Sequence, residues 1–499
     1  MTNITLFPSL SKGTIDKAVY GHFSEHIGGV FYGGLWVGED SPIPNYGGWR
    51  KDAVDALKKI SPPVLRWPGG CFSETYDWRD GIGPRGKRPR RVNWWYYQDH
   101  RVESNQVGTH EFVHLCRLIG AEPYFAANIT TTTPMDIRDW VEYCNFPAGT
   151  TTLADLRAEN GDEEPFNVKY WGIGNENWGG GGNMTPEMYA RELARYETIC
   201  WPVGLPRHGY PSEQKVIGCG ASGDDMNWTD RMMAELDDRI PLYALSFHYY
   251  CGSAGDCVDF NEDEWYTLLA KAAYMKTIMY HLRGMMDRHD PKRQITMACD
   301  EWGCWHPDGS GPSKGYNLFE QQSTMRDALV AALTLDIFNN SCDIIKMANV
   351  AQICNNLHCM ILAGPGEKEM ITTPSYHVFD MYQKHQDARQ IKTVVECGSK
   401  AVEGRADLPL VSASASQKDG KTLITVSNLN YSAEERVTVC ADGDLLRGKA
   451  RVTQLYDVPQ AHNTFDKPDA VVPASYSWDV DGKIDVYLPP ASVTAFEIG

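Results

Sequence analysis

The sequence predicts an α/β protein with two domains: a (β/α)8 barrel of the TIM type over residues 16–380, and an all-β, jelly-roll-like sandwich over residues 381–499. Two patterns support this prediction. Up to about residue 352, short apolar runs alternate with segments of helical spacing, which indicates parallel strands joined by helical crossovers. Beyond about residue 387, helical spacing gives way to a period of two. A chain of 499 residues is also too long for one small domain.

Eight short apolar runs are predicted as the barrel strands, because eight strand–helix units fit this length when the loops are enlarged. A doubly wound open sheet is the alternative. No G-x-G-x-x-G follows the first run, which weakens a dinucleotide-binding version of that alternative. In chain order the runs cover residues 18–26, 63–67, 123–129, 168–173, 215–220, 242–250, 294–301 and 343–352.

The segments between these runs are predicted as helices from apolar residues spaced three and four apart. Thr185 is predicted to cap one of them, with Pro186 in its first turn. Two long helices are predicted at Glu264–Arg288 and roughly at Phe319–Phe338. Shorter helices are indicated by residues 53–60, 112–119 and 137–141.

The C-terminal segment has the pattern of a β-sandwich. Apolar and polar residues alternate through Leu423–Asn428, and three Asp-Gly pairs are predicted as hairpin turns. Residues 1–15 carry a stray strand near Ile4–Leu6, which we expect to join this sandwich rather than the barrel. The predicted turns are Asp419-Gly420, Asp442-Gly443 and Asp481-Gly482.

Composition restricts the partners. Lys and Arg total 47 against 65 Asp and Glu, giving a net charge of −18. Such a chain should repel nucleic acid and anionic membranes, which are recognised largely through positive charge. The N-terminus has no basic region followed by an apolar one, and no apolar run is long enough to cross a bilayer. A cytoplasmic protein is therefore expected.

The 14 cysteines are scattered singly, so we expect them to be mainly reduced and buried. Two loose groups contain histidine: Cys251 and Cys257 with His248, and Cys299 and Cys304 with His306. Neither has the close spacing of a zinc site, so no metal is predicted there. Whether Cys251 and Cys257 form a disulfide stays open at this point.

Two glutamates at strand ends suggest the chemistry. Glu176 follows Gly174 and Asn175 at the end of the fourth run, and Glu301 ends the seventh. The carboxyl ends of barrel strands meet at one rim, so these two carboxylates should face each other across its mouth. A facing pair of this kind can cleave a glycosidic bond, because one acid protonates the leaving oxygen while the other carboxylate attacks the anomeric carbon.

Further side chains at the same rim suit a sugar, because they exchange hydrogen bonds with hydroxyl groups or offer aromatic faces. Any one of them has a structural alternative: Arg66 could pair with a carboxylate to close the barrel, and His248 could be a core histidine. As candidate substrate-binding residues we take Glu25, Arg66, Cys71, Asn175, Trp178, His248, Tyr250, Trp302 and Gln352.

At these residues the chain resembles the α-L-arabinofuranosidases of glycoside hydrolase family 51. The matching motifs are short, but they run in family order through the whole barrel. They are Tyr20-Gly-His-Phe-Ser-Glu25-His26, Arg66-Trp-Pro-Gly-Gly70, Trp78-Arg-Asp-Gly-Ile-Gly-Pro84, Asn105-Gln-Val-Gly108, Gly174-Asn-Glu176, His248-Tyr-Tyr250, Asp300-Glu-Trp302 and Ala351-Gln352.

The resemblance implies a retaining, exo-acting glycosidase that releases terminal α-L-arabinofuranosyl units from arabinoxylan or arabinan oligosaccharides without a cofactor. It implies that Glu176 is the acid/base, Glu301 the nucleophile and Asn175 the residue that holds the sugar's 2-hydroxyl. Residues matching the subsite for the terminal arabinofuranose are Glu25, Tyr250 and Gln352. The resemblance also implies a homo-oligomer, commonly a hexamer, with the N-terminal strand in the C-terminal sandwich.

Departures from the family pattern leave the sugar specificity open. Cys71 stands where the resemblance leads us to expect an asparagine, and a thiol is a poorer hydrogen-bond partner than an amide. Residues Trp94–His100 form an unusually aromatic segment. A β-xylosidase or an endo-β-glucanase of the same family is therefore an alternative. A non-catalytic sugar-binding protein is a second alternative, which would require one of the two carboxylates to be lost or misplaced.

Overall fold

The computed structural model of the chain describes residues 1–197, 214–236 and 242–499, without the side chain of Tyr97. It contains a closed barrel in which every strand lies parallel to its neighbours in chain order and the eighth pairs with the first. All eight predicted runs are strands of this barrel, so the predicted fold class is confirmed. They are Gly21–Phe23, Val64–Trp67, Glu122–Ala127, Tyr170–Ile173, Lys215–Ser222, Ala244–Gly252, Thr296–Trp305 and Ile345–Ala351.

Helices follow every barrel strand, as the alternation predicts. The predicted stretch Glu264–Arg288 is two helices that meet at Tyr274. The helix predicted from Phe319 begins only at Met325, because Thr324 and Asp327 form a capping box there. The helices are Lys51–Ile60, Thr109–Ile119, Pro134–Asn145, Thr152–Glu159, Pro186–Tyr196, Met226–Leu236, Glu262–Ala273, Met275–His289, Met325–Asn340 and Pro374–Tyr382. Within the described ranges, no helix combines the length and apolar character that crossing a bilayer requires.

Side chains from the beginnings of the strands fill the amino-terminal half of the barrel. The filling leaves the carboxyl ends of the strands as the end where polar groups collect. The cluster consists of Ala18, Val64, Tyr124, Tyr170, Ile217, Ala244, Ala298 and Met347.

A β-bulge interrupts the seventh barrel strand next to a predicted catalytic residue. Phe247 pairs with Cys299 and His248 pairs with Glu301, so Asp300 is an extra residue in the ladder. The carboxylate of Asp300 accepts a hydrogen bond from Tyr124 inside the barrel, at 2.8 Å. Two consecutive acidic side chains therefore face the interior, where strict alternation would allow only one.

A nine-stranded sheet follows the barrel, and the N-terminal strand Thr2–Phe7 belongs to it, between Arg389–Glu396 and Glu435–Ala441. One hydrophobic core joins its two halves, with Ile4 and Val439 from one half and Ile424 and Phe496 from the other, as in a sandwich. In sheet order the strands are Ala474–Asp481, Arg447–Tyr456, Ser492–Ile498, Lys421–Asn428, Val411–Lys418, Arg389–Glu396, Thr2–Phe7, Glu435–Ala441 and Lys483–Leu488.

Of the three predicted hairpin turns, one is confirmed. Asp419-Gly420 joins two strands that pair directly, with Lys418 opposite Lys421. Asp442-Gly443 and Asp481-Gly482 are not hairpin turns: each is followed by a strand that pairs elsewhere in the sheet order. The glycine at each of these sites has a positive φ, which explains the local signal, but a tight turn can also carry the chain to the other layer.

Short two-stranded ladders complete the described structure, all in loops outside the barrel and the large sheet. They pair Asn45–Tyr46 with Trp49–Arg50, Arg91–Val92 with Val102–Glu103, Ile361–Ala363 with Met370–Thr372, and Ser399–Lys400 with Leu408–Pro409.

A buried acid joins the sheet to the barrel. Asp336, on the helix Met325–Asn340, accepts hydrogen bonds from Ser412 and Ser414, each at 2.7 Å, and from Thr425 at 3.1 Å. These three hydroxyls lie on strands of the C-terminal sheet. Burial raises the pKa of Asp336 to about 7 despite the hydrogen bonds that favour its ionised form. A change in the protonation of Asp336 therefore acts on the interface between the two domains.

Candidate active site

A cavity of about 390 Å³ opens among the carboxyl ends of the barrel strands. This volume is at the small end of ligand pockets, which span about 300–1,000 Å³. Both predicted catalytic glutamates line it, together with Glu25, Cys71, Trp178, His248, Tyr250 and Gln352.

A tight turn after the fourth barrel strand presents Glu176. Gly174 and Glu176 both have positive φ angles, 81° and 44°. Glycine adopts this conformation freely, whereas a glutamate there is strained unless its surroundings hold it. The buried carboxylate of Glu74 supplies part of that support: its Oε1 accepts hydrogen bonds from the backbone N–H of Asn175 at 2.7 Å and from Asn177 Nδ2 at 3.1 Å.

Two donors hold the carboxylate of Glu301. Arg66 Nη1 donates to Oε1 at 2.9 Å, and the Tyr250 hydroxyl donates to Oε2 at 2.8 Å. The same guanidinium donates to Asn175 Oδ1 at 2.7 Å. A Cβ at Gly70 would lie 2.7 Å from Glu301 Oε1, so the Pro-Gly-Gly turn needs glycine to let the backbone approach this closely.

His248 lies between the two glutamates. Its Nδ1 is 2.9 Å from Glu176 Oε1 and 3.5 Å from Glu301 Oε2. Burial lowers the pKa of His248, but the charge of Glu301 and the hydrogen bond to Glu176 outweigh burial and raise it. Burial raises the pKa of Glu176, yet the hydrogen bond and charge of His248 outweigh it, and the net shift is downward. The two side chains thus share one proton, which favours the imidazole in the free protein.

Glu25 and Gln352, 327 positions apart in the sequence, meet in the lining of the cavity, with Gln352 Nε2 donating to Glu25 Oε2 at 3.2 Å. Glu25 Oε1 accepts from Phe72 N at 2.9 Å and from Trp95 Nε1 at 3.2 Å. Burial, with the nearby charge of Glu301, raises the pKa of Glu25 to about 7. The Glu25 carboxyl can therefore donate as well as accept a hydrogen bond near neutral pH.

Cys71 contacts Glu176. Its thiol lies 3.7 Å from Glu176 Oε2 and 4.0 Å from Asn175 Nδ2. Burial and three neighbouring glutamates raise the pKa of this thiol well above its ordinary value, so it is protonated and donates to Glu176.

Three of the predicted substrate-binding residues are not among those that line the cavity. Arg66 and Asn175 are buried beneath the cavity and hold each other and Glu301. The assignment of Trp302 is wrong: its ring packs in the core against Phe338 and Phe379. The strand continues to Trp305, so residue 302 still alternates with 301 and points away from the barrel interior.

Sequence reasoning missed Glu74, and its candidate substrate-binding residues did not include Trp95 or Trp305. Both tryptophans line the cavity, and Phe319 packs between them, with ring centroids 5.9 Å from Trp95 and 4.8 Å from Trp305. The aromatic segment Trp94–His100 is the signal that could have identified Trp95. A glutamate inside the motif-rich stretch after the second strand was the only signal for Glu74.

Among the residues that the structure describes, two groups of side chains have ligand atoms close enough for a metal ion. One is Glu176, His248 and Glu301, whose ligand atoms lie within 4.8 Å of one another. The other is the buried set Cys304, His306 and Asp327, in which His306 Nε2 is 2.8 Å from Asp327 Oδ1. The spacing of Cys304 and His306 was too loose to suggest such a cluster, because Asp327 comes from another element. Cys251 and Cys257 are free thiols.

Known proteins share this architecture over the whole chain. A family model described as "Alpha-L-arabinofuranosidase 1 domain" matches residues 56–251, and one described as "Alpha-L-arabinofuranosidase C-terminal domain" matches residues 300–492. The chain is 40% identical to an "Intracellular exo-alpha-L-arabinofuranosidase" of Bacteroides ovatus, covering 99% of this chain and 95% of the relative.

Solved structures agree. The GH51 arabinofuranosidase of Xanthomonas axonopodis pv. citri has a TM-score of 0.91 at 37% identity, covering 100% of this chain and 99% of that one. An α-L-arabinofuranosidase of Thermotoga maritima, solved as an arabinose complex, has a TM-score of 0.86 at 32% identity, with both chains fully covered. The similarity extends from the barrel to the C-terminal sheet, and this chain belongs to the α-L-arabinofuranosidases of glycoside hydrolase family 51.

Proposed function

We propose that this protein is a retaining, exo-acting α-L-arabinofuranosidase that releases terminal arabinofuranosyl units from arabinoxylan- and arabinan-derived oligosaccharides. The main support is the approach of the two glutamates: carboxylate oxygens of Glu176 and Glu301 lie within 4.8 Å across the cavity. Retaining glycosidases hold their carboxyl groups about 5–5.5 Å apart, whereas inverting ones leave room for a water at about 6.5–9.5 Å. Membership of the α-L-arabinofuranosidase family supports arabinofuranose as the sugar that is released.

Glu301 is the proposed nucleophile. Arg66 and Tyr250 donate to both of its oxygens, which fixes the direction from which it meets the anomeric carbon. Attack forms a bond between a Glu301 oxygen and the anomeric carbon while the bond to the leaving oxygen breaks. The product of this first step is a glycosyl-enzyme.

Glu176 is the proposed acid/base, and His248 supplies the proton that it needs. Bond formation consumes the negative charge of Glu301, and that charge is one reason for the raised pKa of His248. The proton of His248 therefore moves to Glu176, while Glu176 gives a proton to the leaving oxygen. In the second step Glu176 takes a proton from water, the water oxygen bonds to the anomeric carbon, and Glu301 leaves as the carboxylate.

The size of the cavity favours one terminal sugar unit over a segment of polymer. Glu25 and Gln352 offer polar groups to its hydroxyls, while Trp95 and Trp305 offer aromatic faces. We extend the proposal to the location and the assembly. The B. ovatus relative is named an intracellular enzyme, which supports a cytoplasmic location here. A homo-oligomer, of hexameric order by family resemblance, is the proposed assembly.

Assays on aryl glycosides test this function. The protein should hydrolyse 4-nitrophenyl α-L-arabinofuranoside much faster than the β-xyloside or a soluble β-glucan, and NMR should detect first the product with the starting anomeric configuration. Glu301→Ala should abolish turnover. Glu176→Ala should recover turnover with azide and yield the arabinosyl azide, because azide attacks the glycosyl-enzyme without a general base.

Glu187→Ala, at an exposed glutamate paired with Arg231, is the matched control and should leave turnover unchanged. Preference for the xyloside or the glucan would overturn the proposed sugar. Inverted product, or full activity of Glu301→Ala, would overturn the mechanism.

A further inference from the structure

We propose that Cys71, Glu176, His248 and Glu301 bind one divalent transition-metal ion of the zinc class inside the cavity, and that this ion excludes the substrate. The ion is an inhibitor and takes no part in hydrolysis. Its inhibitory effect rests on the proposed function, whereas the binding site itself rests only on the geometry of four side chains.

Ligand atoms of Glu176, His248 and Glu301 approach the spacing that a tetrahedral ion requires, and Cys71 lies next to Glu176. Zinc bonds of about 2.0–2.3 Å place neighbouring nitrogen and oxygen ligands about 3.4 Å apart, and sulfur and oxygen ligands about 3.6 Å apart. His248 Nδ1 lies 2.9 Å from Glu176 Oε1 and 3.5 Å from Glu301 Oε2. The Cys71 sulfur lies 3.7 Å from Glu176 Oε2. Ligand atoms of Glu176, His248 and Glu301 already lie within 4.8 Å of one another, whereas Cys71 must turn from Glu176 towards the other two to complete the set.

The donor set has the chemistry that zinc prefers. A thiolate, an imidazole and carboxylate oxygens are the ligands found in zinc sites, and a soft sulfur excludes magnesium and calcium, which take oxygen ligands. Three of the four ligands are anionic once Cys71 is deprotonated, so they compensate the charge of the ion. Arg66 opposes binding from below, but it donates to Glu301 Oε1 and leaves Oε2 to face His248 and Tyr250.

The position of the site makes it reachable. All four residues line the same cavity, the one in which the substrate is proposed to bind. The second cluster, Cys304, His306 and Asp327, lies in the core, where Asp327 Oδ2 already accepts from Thr324 in a helix cap. The same types of ligand are thus present twice, but the cavity set is the one that solvent can enter.

An ion at this site competes with protons. It must displace the proton of the Cys71 thiol and the proton shared by Glu176 and His248, because only deprotonated ligands coordinate. Binding therefore tightens as pH rises and releases protons. It also occupies both proposed catalytic carboxylates, so substrate and ion cannot be bound together.

The test begins with chelator-treated protein. Zinc chloride should inhibit 4-nitrophenyl α-L-arabinofuranoside hydrolysis competitively, EDTA should restore the rate, and calorimetry should find one ion per chain. Cobalt(II) should give the near-ultraviolet absorption of a thiolate–cobalt bond. Cys71→Ser should abolish that absorption and weaken zinc affinity at least about tenfold. The control is Cys440→Ser, which removes an exposed cysteine of the sheet domain and should change neither.

Inhibition that does not compete with substrate would overturn the site, as would zinc affinity that Cys71→Ser leaves unchanged. His248→Gln, measured by calorimetry and cobalt absorption, gives a second and independent test and should also weaken binding at least about tenfold. Should the protein fail to hydrolyse arabinofuranosides, the calorimetry and the cobalt spectrum still decide the metal site, so the two proposals fail separately.

Discussion

The carboxylate of Glu74 and the backbone N–H of Asn175 form a hydrogen bond of 2.7 Å that joins the loop after the second barrel strand to the turn carrying Glu176. The other carboxylate oxygen accepts from the N–H groups of Ile129 and Thr130, at 2.9 and 3.0 Å. One side chain thus ties the ends of the third and fourth strands together behind the proposed acid/base.

Glu74→Gln should impair the acid step more than the fold. The amide keeps the size of the side chain but turns an N–H towards backbone N–H groups, so the turn holding Glu176 loosens. We expect kcat to fall on the order of 10- to 100-fold for substrates with alkyl leaving groups. The loss should be much smaller for a dinitrophenyl leaving group, which needs no protonation. Equal losses on both substrates would show that Glu74 serves the fold alone.

His248→Gln should move the pH profile. The basic limb of kcat/KM reports loss of the proton shared by His248 and Glu176. The pKa of His248 is raised from its ordinary value, mainly by Glu301 and Glu176 acting against burial, whereas glutamine takes up no proton. The remaining proton then belongs to a carboxyl group, and the basic limb should shift to lower pH. A limb that stays in place would assign the proton to another group.

Asp336→Asn should reduce the pH dependence of stability. Burial raises the folded pKa of Asp336 to about 7, above the unfolded value of about 3.9. The stabilisation from its protonated form is fully present below about pH 4 and is lost as pH rises towards 7. The asparagine variant should therefore gain melting temperature relative to the parent between pH 5 and pH 8. His385, on the same Thr425, has a pKa that burial lowers to about 3, so it makes both proteins less stable as pH falls below about 6.5, and this effect cancels in the difference between them.

If the difference in melting temperature between Asp336→Asn and its parent is the same at pH 5 and pH 8, the raised pKa of Asp336 is refuted. Asp380→Asn is a suitable control, because Asp380 pairs with Lys59 on a more open surface.

Substitution of two tryptophans near Glu301 should affect different properties: stability for Trp302 and KM for Trp305. Trp302→Ala removes a buried ring and should cost about 3–5 kcal/mol of stability. Trp305→Ala removes a ring that is 37% exposed at the cavity, so it should change the melting temperature little and raise KM. Thermal melts and steady-state kinetics of both variants check this. A larger KM change in Trp302→Ala than in Trp305→Ala would restore Trp302 as a substrate contact.

The order of the barrel strands could be predicted from the sequence because each strand carries its own apolar run, bounded by glycine or polar residues. The rim positions of Glu176 and Glu301 followed from that order. The misplacement of Trp302 came from assuming that the seventh strand ends at Glu301, whereas it runs to Trp305. The bulge at Asp300 could not be predicted from the sequence either, because a bulge depends on the register with neighbouring strands.

Contacts between distant segments account for the rest. Gln352 and Glu25 lie 327 positions apart, and no local pattern reveals that they share a hydrogen bond. The Asp-Gly turns at 442–443 and 481–482 give the same local signal as a hairpin turn. Only the pairing of the following strands distinguishes a hairpin from a passage to the other layer.

The strand Thr2–Phe7 lies between Arg389–Glu396 and Glu435–Ala441. The first strand of the chain can therefore pair only after these two C-terminal strands have been made. During synthesis this strand leaves the ribosome hundreds of residues before either neighbour exists. Until then its apolar side stays unpaired or is shielded by a chaperone. The barrel can assemble in the meantime, but the C-terminal sheet is complete only after its last strand, Ser492–Ile498, has been made. Truncation of the first seven residues would therefore damage the far end of the polypeptide and would expose two strand edges to aggregation.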